Sequence, residues 1–270
     1  PVAKVNPAVV SGSLPCDMDR IASPGTLFCF ALIQPSGYEV GLLSMQYGER
    51  ASLFSCEAYT VYSNKAMQIA PGVQTSVVDS DLKCDSGGEF GTVLNLGIFL
   101  IVWNKVIEDG VFKDHDWTVK VDADTVFFPD RLRKLLPHHH MHEKPSGTYL
   151  SNCKFGMHGP LEVFSKNAVL AWVSGSDTCI QHFNKLCSGD CMWGEDMFID
   201  QCLSRVLNAS RENDWGLLSE DHCEPDPKRA GEWEACTDGR VAFHPFKTAE
   251  RYRACMVNAT EGPTATLPPP

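Results

Sequence analysis

Residues 117–128, read Trp-Thr-Val-Lys-Val-Asp-Ala-Asp-Thr-Val-Phe-Phe, constrain the fold of this chain more than any other segment. A short, mostly apolar run predicts a strand and stops abruptly at two carboxylates, Asp122 and Asp124. Alternate residues of a strand share a side, so both carboxylates are expected to lean toward one spot at the strand's end. Two hard oxygen donors at one spot suit Mg²⁺ or Mn²⁺, and such an ion can bridge the oxygens of a diphosphate. Open α/β sheets hold their ligands at the carboxyl ends of their strands. Taken alone, the triplet also fits a strand followed by an acidic turn.

The rest of the chain alternates strand and helix signals. Residues 26–34 are an apolar run closed by Pro35-Ser36-Gly37, as in a buried parallel strand followed by a turn. Helical spacing follows over 38–54, and short strands are expected at 58–63 and 73–78. A glycine-rich loop spans 85–91. A long apolar helix is expected over 92–107, a strand over 118–121 and a Pro-initiated helix over 129–136. A strand is expected at 161–165, with helices at 166–173 and 196–208 and irregular chain over 174–190. A last strand, 240–243, leads into His244. This alternation predicts an α/β fold, a mixed, mostly parallel sheet flanked by helices. Residues 1–24 read as an irregular arm, 25–258 as one domain and 259–270 as a Pro/Thr-rich tail.

Charge and cysteine content limit the function classes. A formal net charge of −11 disfavours nucleic acid or an anionic membrane as partner. It leaves room for a nucleotide-sugar, because a bound cation and a few local basic groups handle two phosphates. Twelve cysteines are scattered without a Cys-x-x-Cys pair, which favours disulfides over a zinc ribbon. Cys29, inside an apolar run, is an exception expected to be a free core thiol. Sequons at Asn208 and Asn258 make both candidate glycosylation sites and agree with a secretory setting, Golgi lumen or extracellular. There is no initiator Met or signal-peptide pattern, and the longest apolar run is too short to span a bilayer. A membrane connection is expected only through a targeting or anchor segment outside this sequence. The histidines at 138–140 and 142 read as surface groups of a loop.

Three motifs in order, 121–128 with its Asp-x-Asp, 193–203 beginning Trp-Gly-Glu-Asp, and 241–247 with His-Pro-Phe-Lys, resemble the GT-A fold glycosyltransferases, especially fringe and β-1,3-galactosyltransferase-like enzymes. The resemblance covers roughly residues 25 to 250 and implies a GT-A (Rossmann-like) domain; the many cysteines, which make it disulfide-bonded, and the segment 174–190 exceed what the family motif requires. It implies Mn²⁺ or Mg²⁺ as cofactor, held by Asp122, Asp124 and His244, with Asp122 also near the donor ribose. It implies Asp196 as general base, with Glu195 as second choice, in a reaction read as inverting. It implies Lys247 at a donor phosphate and Trp193 as a platform for the acceptor. The implied donor is a nucleotide-diphospho-sugar, a UDP-sugar first, and the implied acceptor a hydroxyl on a glycan or glycoprotein. The chemistry accounts for these residue types: a diphosphate leaving group needs its charge neutralised, and an attacking hydroxyl must lose its proton. The polar stretch 219–239 is a candidate loop over the site. Trp193 also fits a core residue, Glu195 and Asp196 also fit ordinary acids at a helix start, and His244 also fits a structural histidine. Two other classes remain: a catalytically inactive binding or assembly module of the same fold, and a metal-dependent diphosphate hydrolase. No Gly-x-Ser-x-Gly elbow is present, which disfavours an α/β-hydrolase.

Overall fold

A computed structural model describes residues 25–88, 91–140, 144–187, 193–224, 226–229 and 231–263. The expected arm and the end of the expected tail lie outside these residues. The strands run in the order β1 (Leu27–Leu32), β2 (Ala58–Ser63), β3 (Gln68–Ala70), β4 (Val73–Gln74), β5 (Ser76–Val77), β6 (Ser86–Gly87), β7 (Thr92–Val93), β8 (Trp117–Val121), β9 (Val126–Phe127), β10 (Thr148–Ser151), β11 (Leu161–Ser165), β12 (Ser210–Asn213), β13 (Leu218–Ser219) and β14 (Ala242–Phe243). The α-helices are α1 (Tyr38–Glu49), α2 (Leu96–Asp109), α3 (Pro129–Leu135), α4 (Lys166–Leu186), α5 (Glu195–Gln201) and α6 (Ala249–Glu261).

The main sheet has the order β12-β10-β11-β8-β1-β2-β5. β1 pairs in parallel with β2 and β8, and β10 with β12. β11 alone runs against its neighbours β8 and β10. The mixed, mostly parallel α/β sheet expected from the sequence is therefore present. A smaller sheet, β13-β14-β9, contributes Phe127, Leu218 and Ala242 to a core cluster shared with β1 and β8.

The period of two along β1 builds two core layers. Leu27, Cys29 and Ala31 join one cluster with Trp117, Val119, Val121 and Leu132. Phe28 and Phe30 join the other, with Phe99, Trp103, Trp172 and Phe198. Helices α1 and α3 contribute to the first face and α2, α4 and α5 to the second. Every residue of β8 is buried. Its Lys120 falls on the second face, under α2 and α5.

Several expectations change. The helix expected over 38–54 ends at Glu49, because Arg50 turns left-handed (φ 52) and a 3₁₀ turn follows at Ser52–Ser55. Of the segment expected to be irregular, residues 174–186 are helical, because α4 continues to Leu186, and residues 188–190 lie outside the described residues. A Cβ on Gly175 would lie 2.3 Å from Leu207 Cδ2, so this glycine within α4 serves close packing. The helix expected over 92–107 begins at Leu96, after the short strand β7. The helix over 196–208 is α5 followed by a π-turn at Cys202–Val206. β10, β12 and α6 carried no signal that was read. Helix α6 starts at a Thr248 cap that accepts the Arg251 amide and runs past residue 258.

Among the described residues four disulfides form, Cys29–Cys56, Cys153–Cys223, Cys179–Cys202 and Cys236–Cys255. Cys29 is thus not a free thiol; parallel pairing of β1 with β2 brings Cys56, just before β2, to it. Among the described residues no helix is long and apolar enough to cross a membrane. Asn208 is exposed, whereas Asn258 is 5% exposed on the packed side of α6. A glycan on Asn258 would have to displace that packing. His139 is not a surface group but lies between Glu212 (2.6 Å) and Asp214 (2.8 Å).

Candidate donor and metal site at the carboxyl edge of the sheet

β8 ends at Val121, one residue before the first carboxylate. Asp122 and Asp124 therefore do not share a side through strand alternation. A turn joins them instead: the Thr125 amide donates to the Asp122 carbonyl at 3.0 Å. Gln46 of α1 donates to the Ala123 carbonyl (2.7 Å), and the Phe246 amide donates to the Asp124 carbonyl (2.8 Å). The turn is thus fixed from both sides, and the chain after β14 is pinned against it.

This brings the three candidate ligands together. Ligand atoms of Asp122, Asp124 and His244 lie within 4.8 Å of one another. Asp124 is buried and accepts a hydrogen bond from the Tyr38 hydroxyl at 3.0 Å. His244 Nε2 lies 3.4 Å from Asp124 Oδ1, and its Nδ1 lies 3.0 Å from Glu220 Oε2. Burial opposes protonation of His244, but the bonds to Asp124 and Glu220 outweigh it and raise its pKa to about 9. Burial also opposes ionisation of Asp124, yet the histidine outweighs it and lowers that carboxyl. Two carboxylates and an imidazole around one spot fit a hard divalent cation, and the imidazolium proton occupies the place where such a charge is favoured.

The trio sits in a cleft of about 280 Å³ lined also by Gln34, Tyr38 and Asn95. It opens at the carboxyl ends of β1 and β8, where open α/β sheets bind ligands. Lys247 approaches from the rim, with Nζ 5.9 Å from the centre of the Tyr38 ring.

The Trp-Gly-Glu-Asp motif divides its work. Trp193 is half-buried against Phe183 (5.2 Å between ring centres) and packs against the second core layer. Glu195 is 1% exposed. Its Oε2 lies 3.2 Å from Lys120 Nζ, and its Oε1 accepts from the Trp103 indole at 3.3 Å. Lys120 also binds Glu162 (2.8 Å) and the Gly159 carbonyl (2.9 Å), and reaches Asp122 (3.7 Å) from the core side. Glu195 is therefore a buried ion-pair member, turned away from solvent. Asp196, a quarter exposed, faces outward: its Oδ2 accepts the Gly159 amide (2.9 Å) and lies 3.3 Å from His158 Nδ1. Burial opposes its ionisation, but the His158 bond prevails and lowers its pKa.

Sequence reasoning did not single out Tyr38, Lys120, His158, Glu162 or Glu220. Tyr38 had a readable signal, since it opens the helix that follows the first strand. Glu220 and His158 belong to no motif and come together only in the fold. They complete a chain of contacts: Asp196 to His158 (3.3 Å), His158 to Glu220 (3.1 Å), Glu220 to His244 (3.0 Å) and His244 to Asp124 (3.4 Å). Glu220 lies in the polar stretch 219–239, whose described residues include buried anchors such as Cys223, Glu224 and Cys236.

No family model and no curated protein matches the chain. Solved structures similar to it include a glycosyltransferase involved in the glycosylation of the major capsid of PBCV-1, at 11% identity and a TM-score of 0.43, covering 86% of this chain and 98% of that one. An active-site mutant of LgtC is similar at 9% identity and a TM-score of 0.45, covering 75% of this chain and 82% of that one. The glycosyltransferase GlyE of Streptococcus pneumoniae TIGR4 is similar at 13% identity and a TM-score of 0.36, covering 70% of this chain and 45% of that one. Likeness at these scores assigns neither family nor activity.

Proposed function

We propose that this protein is a metal-dependent glycosyltransferase that moves a sugar from a nucleotide-diphospho-sugar, a UDP-sugar first among them, to a hydroxyl of a glycan or glycoprotein. The observation that carries this reading is the convergence of Asp122, Asp124 and His244 on the floor of a cleft at the carboxyl edge of the sheet. Asp122, Asp124 and His244 would hold Mn²⁺ or Mg²⁺. Such an ion, when bound, neutralises the charge of a diphosphate leaving group.

The remaining roles belong to the chain's own groups. Tyr38 donates to Asp124 and keeps its carboxylate aimed into the cleft. Glu220 holds the His244 ring by Nδ1 and leaves Nε2 toward Asp124. Asp196 accepts the proton of the acceptor hydroxyl as it attacks, in an inverting displacement; its lowered pKa keeps it ionised at neutral pH. Lys247 stands at the rim to meet a phosphate. The disulfides and the exposed sequon at Asn208 support a lumenal or extracellular setting.

Titration of UDP into the protein with and without Mn²⁺ tests the reading. Mn²⁺-dependent UDP binding, followed by sugar transfer, is the expected result. Absence of any nucleotide binding would replace it with the inactive binding-module reading. Release of free sugar without transfer to any hydroxyl acceptor would favour the hydrolase.

A further inference from the structure

We infer a second metal site, built by His158, Glu220 and His222 and suited to Zn²⁺. Ligand atoms of these three residues lie within 4.8 Å of one another. His158 Nε2 lies 3.1 Å from Glu220 Oε2, and His222 Nδ1 lies 3.1 Å from Glu220 Oε1. Ligands on a tetrahedral zinc with bonds of about 2.0–2.1 Å stand about 3.3 Å apart, so these groups are already near ligand spacing. Two imidazoles and one carboxylate are the donor set of a borderline cation and leave a fourth position for water.

Three features single this cluster out from ordinary surface histidines. First, His158 is held as metal-bound histidines are: its other nitrogen, Nδ1, lies against the Asp196 carboxylate, which leaves Nε2 to bind. Second, the cluster is anchored. Cys223, next to His222, is tied to Cys153 by a disulfide, and the Cys223 amide donates to the Glu220 carbonyl (3.2 Å). Because both cysteines are oxidised, their sulfurs do not compete as ligands. Third, one carboxylate faces three imidazoles, those of His158, His222 and His244. A divalent ion satisfies that crowding with one charge centre instead of several protons. The site shares Glu220 with the contact chain to Asp124, so an ion here would fix the residue that orients His244.

Zn²⁺ added to chelator-treated protein, with Co²⁺ as a spectroscopic probe, tests the site without recourse to turnover. It is therefore separate from the transferase reading. Wild-type protein is expected to retain one tightly held Zn²⁺ and to give Co²⁺ absorption of a low-coordinate nitrogen and oxygen site. Asp124→Asn is expected to keep both signals. His222→Ala is expected to lose them; His222 is 53% exposed on its side chain, so the fold tolerates the change. Asp196→Asn is expected to weaken Zn²⁺ binding about 10- to 100-fold through His158. Equal Zn²⁺ affinity in wild type and His222→Ala, or no retained Zn²⁺ in wild type, overturns the proposal. So does Zn²⁺ that disappears with His140→Ala, which would place it on the histidine run at 138–140. If His222→Ala fails to fold, His158→Gln provides the same comparison.

Discussion

Glu220 Oε2 lies 3.0 Å from His244 Nδ1, and this contact decides which nitrogen His244 turns to Asp124. A histidine whose far nitrogen is held by a carboxylate has a fixed ring and a stronger ligand nitrogen. Burial opposes ionisation of Glu220, yet bonds from His158, His222 and His244 hold its carboxyl far below the usual range.

Glu220→Gln keeps the size and removes that charge. Mn²⁺ affinity is expected to fall about 10- to 100-fold, read by calorimetric titration in the presence of UDP. An unchanged affinity would show that His244 takes no part in holding the ion.

Asp196→Asn separates base from ligand. Turnover is expected to fall about 10²- to 10⁴-fold while Mn²⁺-dependent UDP binding stays nearly unchanged. Asp124→Asn is expected to weaken that binding itself. Full transfer activity in Asp196→Asn would move the base elsewhere or make the reaction retaining.

The buried cluster under the site predicts an asymmetry. Lys120 is 2% exposed, with carboxylates of Glu162 and Glu195 against it. Burial and then the Glu195 charge push the Glu162 carboxyl well up, against the pull of Lys120. Lys120→Met leaves a buried anion without its cation and is expected to cost about 3–5 kcal/mol in denaturant unfolding. Glu162→Gln keeps the size and leaves Glu195 to balance Lys120, and is expected to cost about 1 kcal/mol or less. Equal costs for the two would show that the Lys120 charge is not what balances this cluster.

The His139 ion pair has its own pH window. Burial works against protonation of His139, but Asp214 and Glu212 outweigh it and raise its pKa. Its stabilisation is complete below the unfolded histidine value of about 6.5 and fades as pH rises through the raised folded value. Asp214 is lowered by the same bond although burial opposes this, so its share fades as pH falls below about 4. His139→Gln is therefore expected to lower Tm most between about pH 4 and 6.5 and little at alkaline pH. A loss of Tm independent of pH would point to packing alone.

Cysteine labelling of denatured, unreduced protein is expected to mark Cys84, the free cysteine among the described residues, and to leave the four described disulfides unmodified. Reaction at Cys153 and Cys223 would remove the anchor of the 221–223 turn.

The sequence by itself determined the elements whose signal is local. β2 and β11 fall on their expected boundaries, and β1, β8, α2 and α3 within a few residues, because apolar runs and turn residues act over a few positions. It also determined that Asp122, Asp124 and His244 belong near the ends of two strands. Only the tertiary structure decided how they meet. Asp122 and Asp124 converge through a turn clamped by Gln46 and Phe246, residues far away in sequence. It likewise decided that Glu195 is a buried partner of Lys120 while its neighbour Asp196 turns outward to His158 and the Gly159 amide, since a helix start turns successive side chains about 100° apart. Glu220, His158 and His222 left no motif to read. Each has an unremarkable sequence neighbourhood, and their shared site arises from the Cys153–Cys223 tie and the contact of the 219–224 segment with Asn152–His158, contacts that cross tens of residues and have no local period.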